Sequence, residues 1–126
     1  MDDSKSAPPV YPVYPVYPDD ADGDALRQVA ANGSDMSRAM VIDFAIDAPS
    51  ESNANACQLA LSQAGYPGDI FRADGSSRWS VYCSVTMVPD YHQLLRTLET
   101  LNQITSPHGG TADGWGTLGN GPDSQT

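Results

Sequence analysis

The stretch Arg78-Trp-Ser-Val-Tyr-Cys-Ser-Val-Thr-Met-Val88 decides the fold of this chain. Its side chains alternate in polarity with a period of two, which is the period of a β-strand. It contains neither proline nor glycine and is rich in β-branched and aromatic residues, as a strand inside a sheet requires. The sequence therefore predicts a central strand with one face buried under helices and one face open to water or a partner. The apolar set is Trp79, Val81, Cys83, Val85 and Met87, and the polar set is Ser80, Tyr82, Ser84 and Thr86.

A second clear strand and a helix precede this stretch. Residues 40–47 alternate, with Met40, Ile42, Phe44 and Ile46 on one face and Asp43 and Asp47 on the other. Ser50 is the expected N-cap of the next helix, and Gly65 is its expected end. Its predicted buried stripe is Cys57, Ala60, Leu61 and Ala64.

A hairpin, a second helix and a last short strand complete the pattern. A weaker strand around Ile70 and Phe71 leads through the turn pair Asp74-Gly75 into the central strand. Asp90, with Gln93 in a capping box, starts a leucine-rich helix that Pro107 ends. The last strand is expected within His108–Leu118.

This order predicts an α+β fold, a ferredoxin-like βαββαβ sandwich. Its four-stranded antiparallel sheet carries two helices on one face, and a short N-terminal helix from Asp24 to Gly33 precedes it. The expected open face is lined by Asp43, Ala45, Asp47, Ser80, Tyr82, Ser84 and Thr86.

The chain is predicted to form one domain, residues 25–118, between a disordered segment (residues 1–24) and a flexible tail (residues 119–126). The first segment is acidic and rich in proline and tyrosine, and it is expected to lie outside the core. Val10–Pro18 repeats Val-Tyr-Pro three times at the period of polyproline II. The repeat is either a docking strip for an aromatic-lined groove or a solvated spacer.

The net charge of the chain indicates which classes of partner it can bind. The chain has 16 acidic and 6 basic residues and a formal net charge of −10. Phosphate binding needs a basic surface, so nucleic acid as a direct ligand is not expected. A basic protein surface is the more natural partner. The sequence shows neither a membrane-spanning run nor a signal peptide, which predicts a cytoplasmic protein.

No catalytic, cofactor or metal site is predicted. His92 and His108 are too dispersed for a metal site, and no nucleophile elbow or phosphate-binding loop occurs. Cys57 and Cys83 both fall on apolar stripes, so they are either two buried thiols or a disulfide bridge. The sequence predicts that the protein is not an enzyme.

Two passages resemble a known family. Residues 32–46, which begin Asn-Gly-Ser-Asp, resemble the opening of the regulator of ribonuclease activity B family. His108-Gly-Gly-Thr-Ala-Asp-Gly-Trp-Gly-Thr117 resembles the closing motif of that family, and Val88-Pro-Asp90 is also similar. The resemblance covers about residues 33–118. It implies a small acidic bacterial protein that binds ribonuclease E and inhibits RNA cleavage without being an enzyme.

The candidate interface has two parts. Asp113-Gly114-Trp115-Gly116 either forms a tight bend in which Trp115 packs inward, or exposes Trp115 as an interface anchor. The open-face group around Asp43, Asp47 and Tyr82 is either solvated, or accepts a basic segment of a partner, or pairs with itself. A monomer or weak dimer is expected.

The predicted function is inhibition of ribonuclease E, or a related basic RNA-processing protein, by stoichiometric binding. An immunity protein or antitoxin that neutralises a toxic nuclease is the alternative, because it also needs an acidic, non-enzymatic binder.

Overall fold

The computed structural model describes residues 17–72 and 77–121, which form an α+β protein with a four-stranded antiparallel sheet and three α-helices. The elements are α1 (Ala21–Ala31), β1 (Met40–Ala48), α2 (Glu51–Gln63), β2 (Gly68–Arg72), β3 (Trp79–Met87), α3 (Tyr91–Thr105), a 3-10 turn (Ser106–His108) and β4 (Thr111–Gly116). The strand order is β2-β3-β1-β4, so the two clearest strands of the sequence occupy the centre of the sheet.

The predicted alternation of both central strands is confirmed. Ile42, Phe44 and Ile46 of β1 are fully buried, as are Val81 and Cys83 of β3. Helices α2 and α3 contact each other and pack on this face of the sheet. Burial of a valine, isoleucine or phenylalanine side chain contributes about 1.5–3 kcal/mol, so this covered face stabilises the fold.

The helix starts follow the capping residues that the sequence indicates. The Ser50 hydroxyl accepts the backbone N–H of Asn53 at 3.1 Å, and the Asp90 carboxylate accepts that of Gln93 at 2.9 Å. The backbone N–H of Asp90 donates to the Val88 carbonyl. Because the N–H of Asp90 is already paired, the Gln93 side chain is not needed to accept it, and only the Asp90 half of the predicted capping box forms.

The buried stripe of α2 begins and ends about one turn earlier than predicted. Ala54, Cys57 and Leu61 are fully buried, whereas Ala64 is exposed. Ala64 is the C-cap of the helix, and Gly65 follows it with a φ of +93°. The chain therefore leaves the sheet before Ala64 can pack on it.

The expectation that residues 1–24 lie outside the core needs a correction. Helix α1 begins at Ala21, and its N-cap Asp20 accepts the backbone N–H of Gly23 at 2.7 Å. Tyr17 is only 7% exposed and belongs to the core cluster, and Arg27 donates to its carbonyl. The proline-rich composition around Tyr17 concealed this anchoring. Residues 1–16, with most of the Val-Tyr-Pro repeat, residues 73–76, with the turn pair Asp74-Gly75, and residues 122–126 lie outside the described residues.

The two cysteines are free and buried, which confirms the alternative of two thiols. Burial raises the pKa of the Cys83 thiol to about 11 and also raises that of Cys57. Because the thiolate is the reactive form, both side chains are expected to be inert at neutral pH.

The hydroxyl of Tyr17 provides a test of the N-terminal anchor. Among the described residues it is buried and has no hydrogen-bond partner, which is costly. We expect Tyr17→Phe to leave the free energy of unfolding unchanged or raise it by about 1 kcal/mol. Tyr17→Ala should lower it by about 3 kcal/mol, because the ring is lost from the core. Urea unfolding measures both, and a marked loss for Tyr17→Phe would contradict the buried placement.

Candidate protein interface

The strand register defines the face of the sheet that the helices leave open. Residues that pair directly across neighbouring strands lie on the same face of a sheet. Two rows cross the open face: Tyr82, Ala45 and Gly114 form one, and Ser84, Asp43 and Gly116 form the next. The predicted open-face residues therefore lie together, and they are joined by the two glycines of the closing motif.

A shallow groove of about 460 Å³ lies over these two rows. Five of the seven predicted interface residues line it, namely Asp43, Tyr82, Gly114, Trp115 and Gly116. The other lining residues are Ala45, Thr117 and Leu118. The structure thus brings together two sequence motifs that are separated by about 70 residues. We call this feature the glycine groove.

The acidic and aromatic groups of the glycine groove are held by their neighbours. The Ser84 hydroxyl donates to the Asp43 carboxylate at 2.5 Å, which orients that carboxylate on the open face. Tyr82 is 42% exposed, and its ring lies edge-on to Phe71 with the ring centroids 5.4 Å apart. A fixed carboxylate beside an exposed ring suits a cationic group.

Asp47 and Asp113 do not line the groove. Asp47 forms a two-atom ion pair with Arg78, and Asp113 adds a further attraction to the same guanidinium. The hydrogen bond from Arg78 to Asp47 is the main reason that the pKa of Arg78 is raised. The charge of Asp47 is therefore partly neutralised within the chain, and Asp43 is the acidic group best placed to meet a partner.

Asp113 is the extra residue of a β-bulge in β4. The register shifts between Ala45 and Ile46, which pair with Gly114 and Ala112. The bulge therefore lets Ala112 and Trp115, three positions apart, face the helices. It also turns Gly114 and Gly116 to the open face.

Trp115 packs inward rather than outward. It pairs with Phe44 across the sheet, is partly buried against the core, and donates its indole N–H to Asp22 of α1 at 2.9 Å. Of the two alternatives for Trp115, the geometry supports the packing role. The ring ties the edge strand to the N-terminal helix.

The interface predicted from the sequence omits two exposed apolar residues. Phe71 is 53% exposed beside Tyr82, and Leu118 is 87% exposed at the end of the groove. The register puts Phe71 on the open face, opposite Ser80. The sequence indicates only a short strand around Ile70 and Phe71, which is too weak a pattern to assign its faces. Nothing in the sequence distinguished Leu118 from an apolar residue in a tail.

Metal-ligating clusters and membrane-spanning helices are both absent from the part of the chain that the structure describes. In residues 17–72 and 77–121, no group of three or more His, Cys, Asp or Glu side chains is placed to hold a metal ion. None of the helices in the same ranges has the length and hydropathy to cross a bilayer.

The hydrogen bond between Trp115 and Asp22 predicts that the effects of substituting these two residues on the free energy of unfolding are coupled. Trp115→Phe removes the indole N–H and keeps an aromatic ring, so we expect a loss of about 1–2 kcal/mol in the free energy of unfolding. Asp22→Ala should cost a similar amount, and the double variant should cost less than the sum. Additive losses in a double-mutant cycle would show that the bond contributes nothing.

Comparison with known proteins gives the family. No curated protein matches the chain significantly. The model of one protein family, RraB, described as "Regulator of ribonuclease activity B", matches residues 19–117. The match covers most of the chain, including both motifs that carried the resemblance and every residue of the glycine groove except Leu118. This chain belongs to the RraB family, the regulators of ribonuclease activity B.

Proposed function

We propose that this protein binds ribonuclease E and inhibits its cleavage of RNA without catalysing a reaction itself. The observation that carries the proposal is the family match over residues 19–117, because the family is described as a regulator of ribonuclease activity. The sequence resemblance supplies ribonuclease E as the enzyme that is regulated. The family match does not support the alternative of an immunity protein.

The charge of the chain supports a mechanism that depends on protein binding. Enzymes that process RNA need basic surfaces to hold phosphates, and this chain has a net charge of −10. An acidic protein that occupies a basic RNA-binding or scaffold segment excludes RNA by volume and by repulsion. The open face of the sheet is the proposed contact surface, since it combines acidic groups with the exposed rings of Tyr82 and Phe71.

The remaining parts of the proposal follow from this mode of action. The protein would act in the cytoplasm as a monomer or weak dimer, with no cofactor. Pairing two open faces would bring the Asp43 side chains of both copies together, which opposes a tight dimer. We also propose the ferredoxin-like classification, which the strand order β2-β3-β1-β4 supports.

An RNA cleavage assay tests the proposal directly. We expect the purified chain to slow cleavage of a substrate RNA by ribonuclease E, with the effect saturating as the two proteins reach equal concentrations. A preformed complex should elute early from a sizing column. Unchanged cleavage at a large molar excess, together with separate elution of the two proteins, would reject the proposal.

Salt should affect the rate at which the complex forms. Electrostatic steering raises association rates by roughly tenfold or more, and it is screened at high ionic strength. We expect the association rate to fall by about that factor between low salt and 1 M salt, where the screening length is about 3 Å. The dissociation rate should change less. Equal association rates at both salt concentrations would remove charge from the mechanism.

A further inference from the structure

Four glycines of the closing motif fall into two classes. Gly109 has a φ of +83°, which disfavours other residues, and a Cβ on Gly110 would lie 2.6 Å from the Cys57 sulfur. The fold therefore requires glycine at both positions. Gly114 and Gly116 show neither property: their φ angles are not in the left-handed region, and a Cβ on either would meet nothing within 4 Å.

Neither a left-handed backbone nor a close contact therefore requires glycine at positions 114 and 116. Glycine in a strand weakens the strand, and it often marks either a bulge, such as the one before Gly114, or a place where a ligand or another backbone approaches closely. Both glycines face the open side, where they pair with Ala45 and Asp43. Their missing side chains leave the glycine groove empty along β4.

The groups that line the glycine groove suit the guanidinium group of an arginine side chain. The Asp43 carboxylate, oriented by Ser84, lies in one row of the groove, and the exposed Tyr82 ring lies in the next. A guanidinium group pairs with a carboxylate through two parallel hydrogen bonds and stacks on aromatic rings, whereas an ammonium group matches both less well. Leu118 offers an apolar contact to the methylene stem of a long side chain.

We propose that the glycine groove binds an arginine side chain from a basic segment of the partner, and that Gly114 and Gly116 keep the groove clear for it. The proposal rests on the proposed function in taking that partner to be a ribonuclease. Charge complementarity supports a basic occupant, since Asp69, which pairs with Tyr82 on the neighbouring strand, adds a second exposed carboxylate to the open face. The arginine guanidinium pairs with Asp43 and lies against Tyr82.

Side chains placed in the groove test whether Gly114 and Gly116 serve binding or serve the fold. Gly114→Val and Gly116→Val, made in the full chain, place side chains in the open space and favour a strand. We expect a melting temperature equal to or above that of the unchanged protein, and affinity for ribonuclease E weakened by about tenfold or more. Gly114→Ala and Gly116→Ala, the smallest changes, should also keep the melting temperature. A lower melting temperature in the alanine variants would show that the glycines serve the fold, and would overturn the proposal.

Charge variants test the guanidinium contact. Asp43→Asn should weaken binding by about tenfold, while Glu99→Gln, which removes one exposed negative charge from α3 on the other side of the sheet, should change it little. Oligoarginine and oligolysine peptides of equal length serve as probes of the groove itself. We expect the arginine peptide to bind more tightly, and Gly114→Val and Tyr82→Leu to remove this preference. Equal binding of both peptides would contradict the arginine assignment.

The outcomes distinguish this inference from the proposed function. If the unchanged protein binds ribonuclease E and both valine variants bind it equally well, the groove is not the contact and the inference fails alone. If ribonuclease E is not bound, but the arginine peptide is bound and lost in the valine variants, the groove stands and the choice of enzyme is wrong.

Discussion

The pairing of β1 with β3 is the constraint on which the rest of the structure depends. It runs without interruption from Met40 opposite Met87 to Ala48 opposite Trp79. A shift of one residue would move the apolar set of β1 onto the open face and Asp43 into the core. Such a shift would expose Phe44 and bury a carboxylate, so the register is strongly specified.

This register divides the protein into a face for folding and a face for binding. The helices cover Ile42, Phe44 and Ile46, and the core they form includes Tyr17 from beyond the start of α1. The open face is left with small and polar side chains around the Tyr82 and Phe71 rings. Because stability comes from the covered side, side chains on the open side are free to serve a partner.

The sequence predicted the elements well because their signals are local. The alternation of residues 79–87, the caps Ser50 and Asp90, and the glycine after α2 each act within a few positions. The placement of Tyr17 depends on packing between distant segments, which a proline-rich repeat does not reveal. The environment of Trp115 was also undecided, because the partner of its indole N–H, Asp22, is 93 residues away.

The sequence predicts most residues of the candidate site, but it does not predict that they lie side by side. Asp43, Tyr82 and the Asp-Gly-Trp-Gly motif were identified separately, and only the register shows that the motif glycines lie beside Asp43 and Tyr82. Phe71 and Leu118 were missed because exposure of an apolar side chain is a property of the folded surface. The sequence does not state which apolar residues the helices leave uncovered.

The bulge at Asp113 decides which residues of the closing motif face the helices. If Asp113 paired regularly with Ala45, every residue after it would move one position along β1. Trp115 would then stand opposite Asp43 on the wet side of the sheet, and Gly114 would leave a hole over Phe44. The same sequence without the bulge would lose both the attachment of β4 to α1 and the glycine groove.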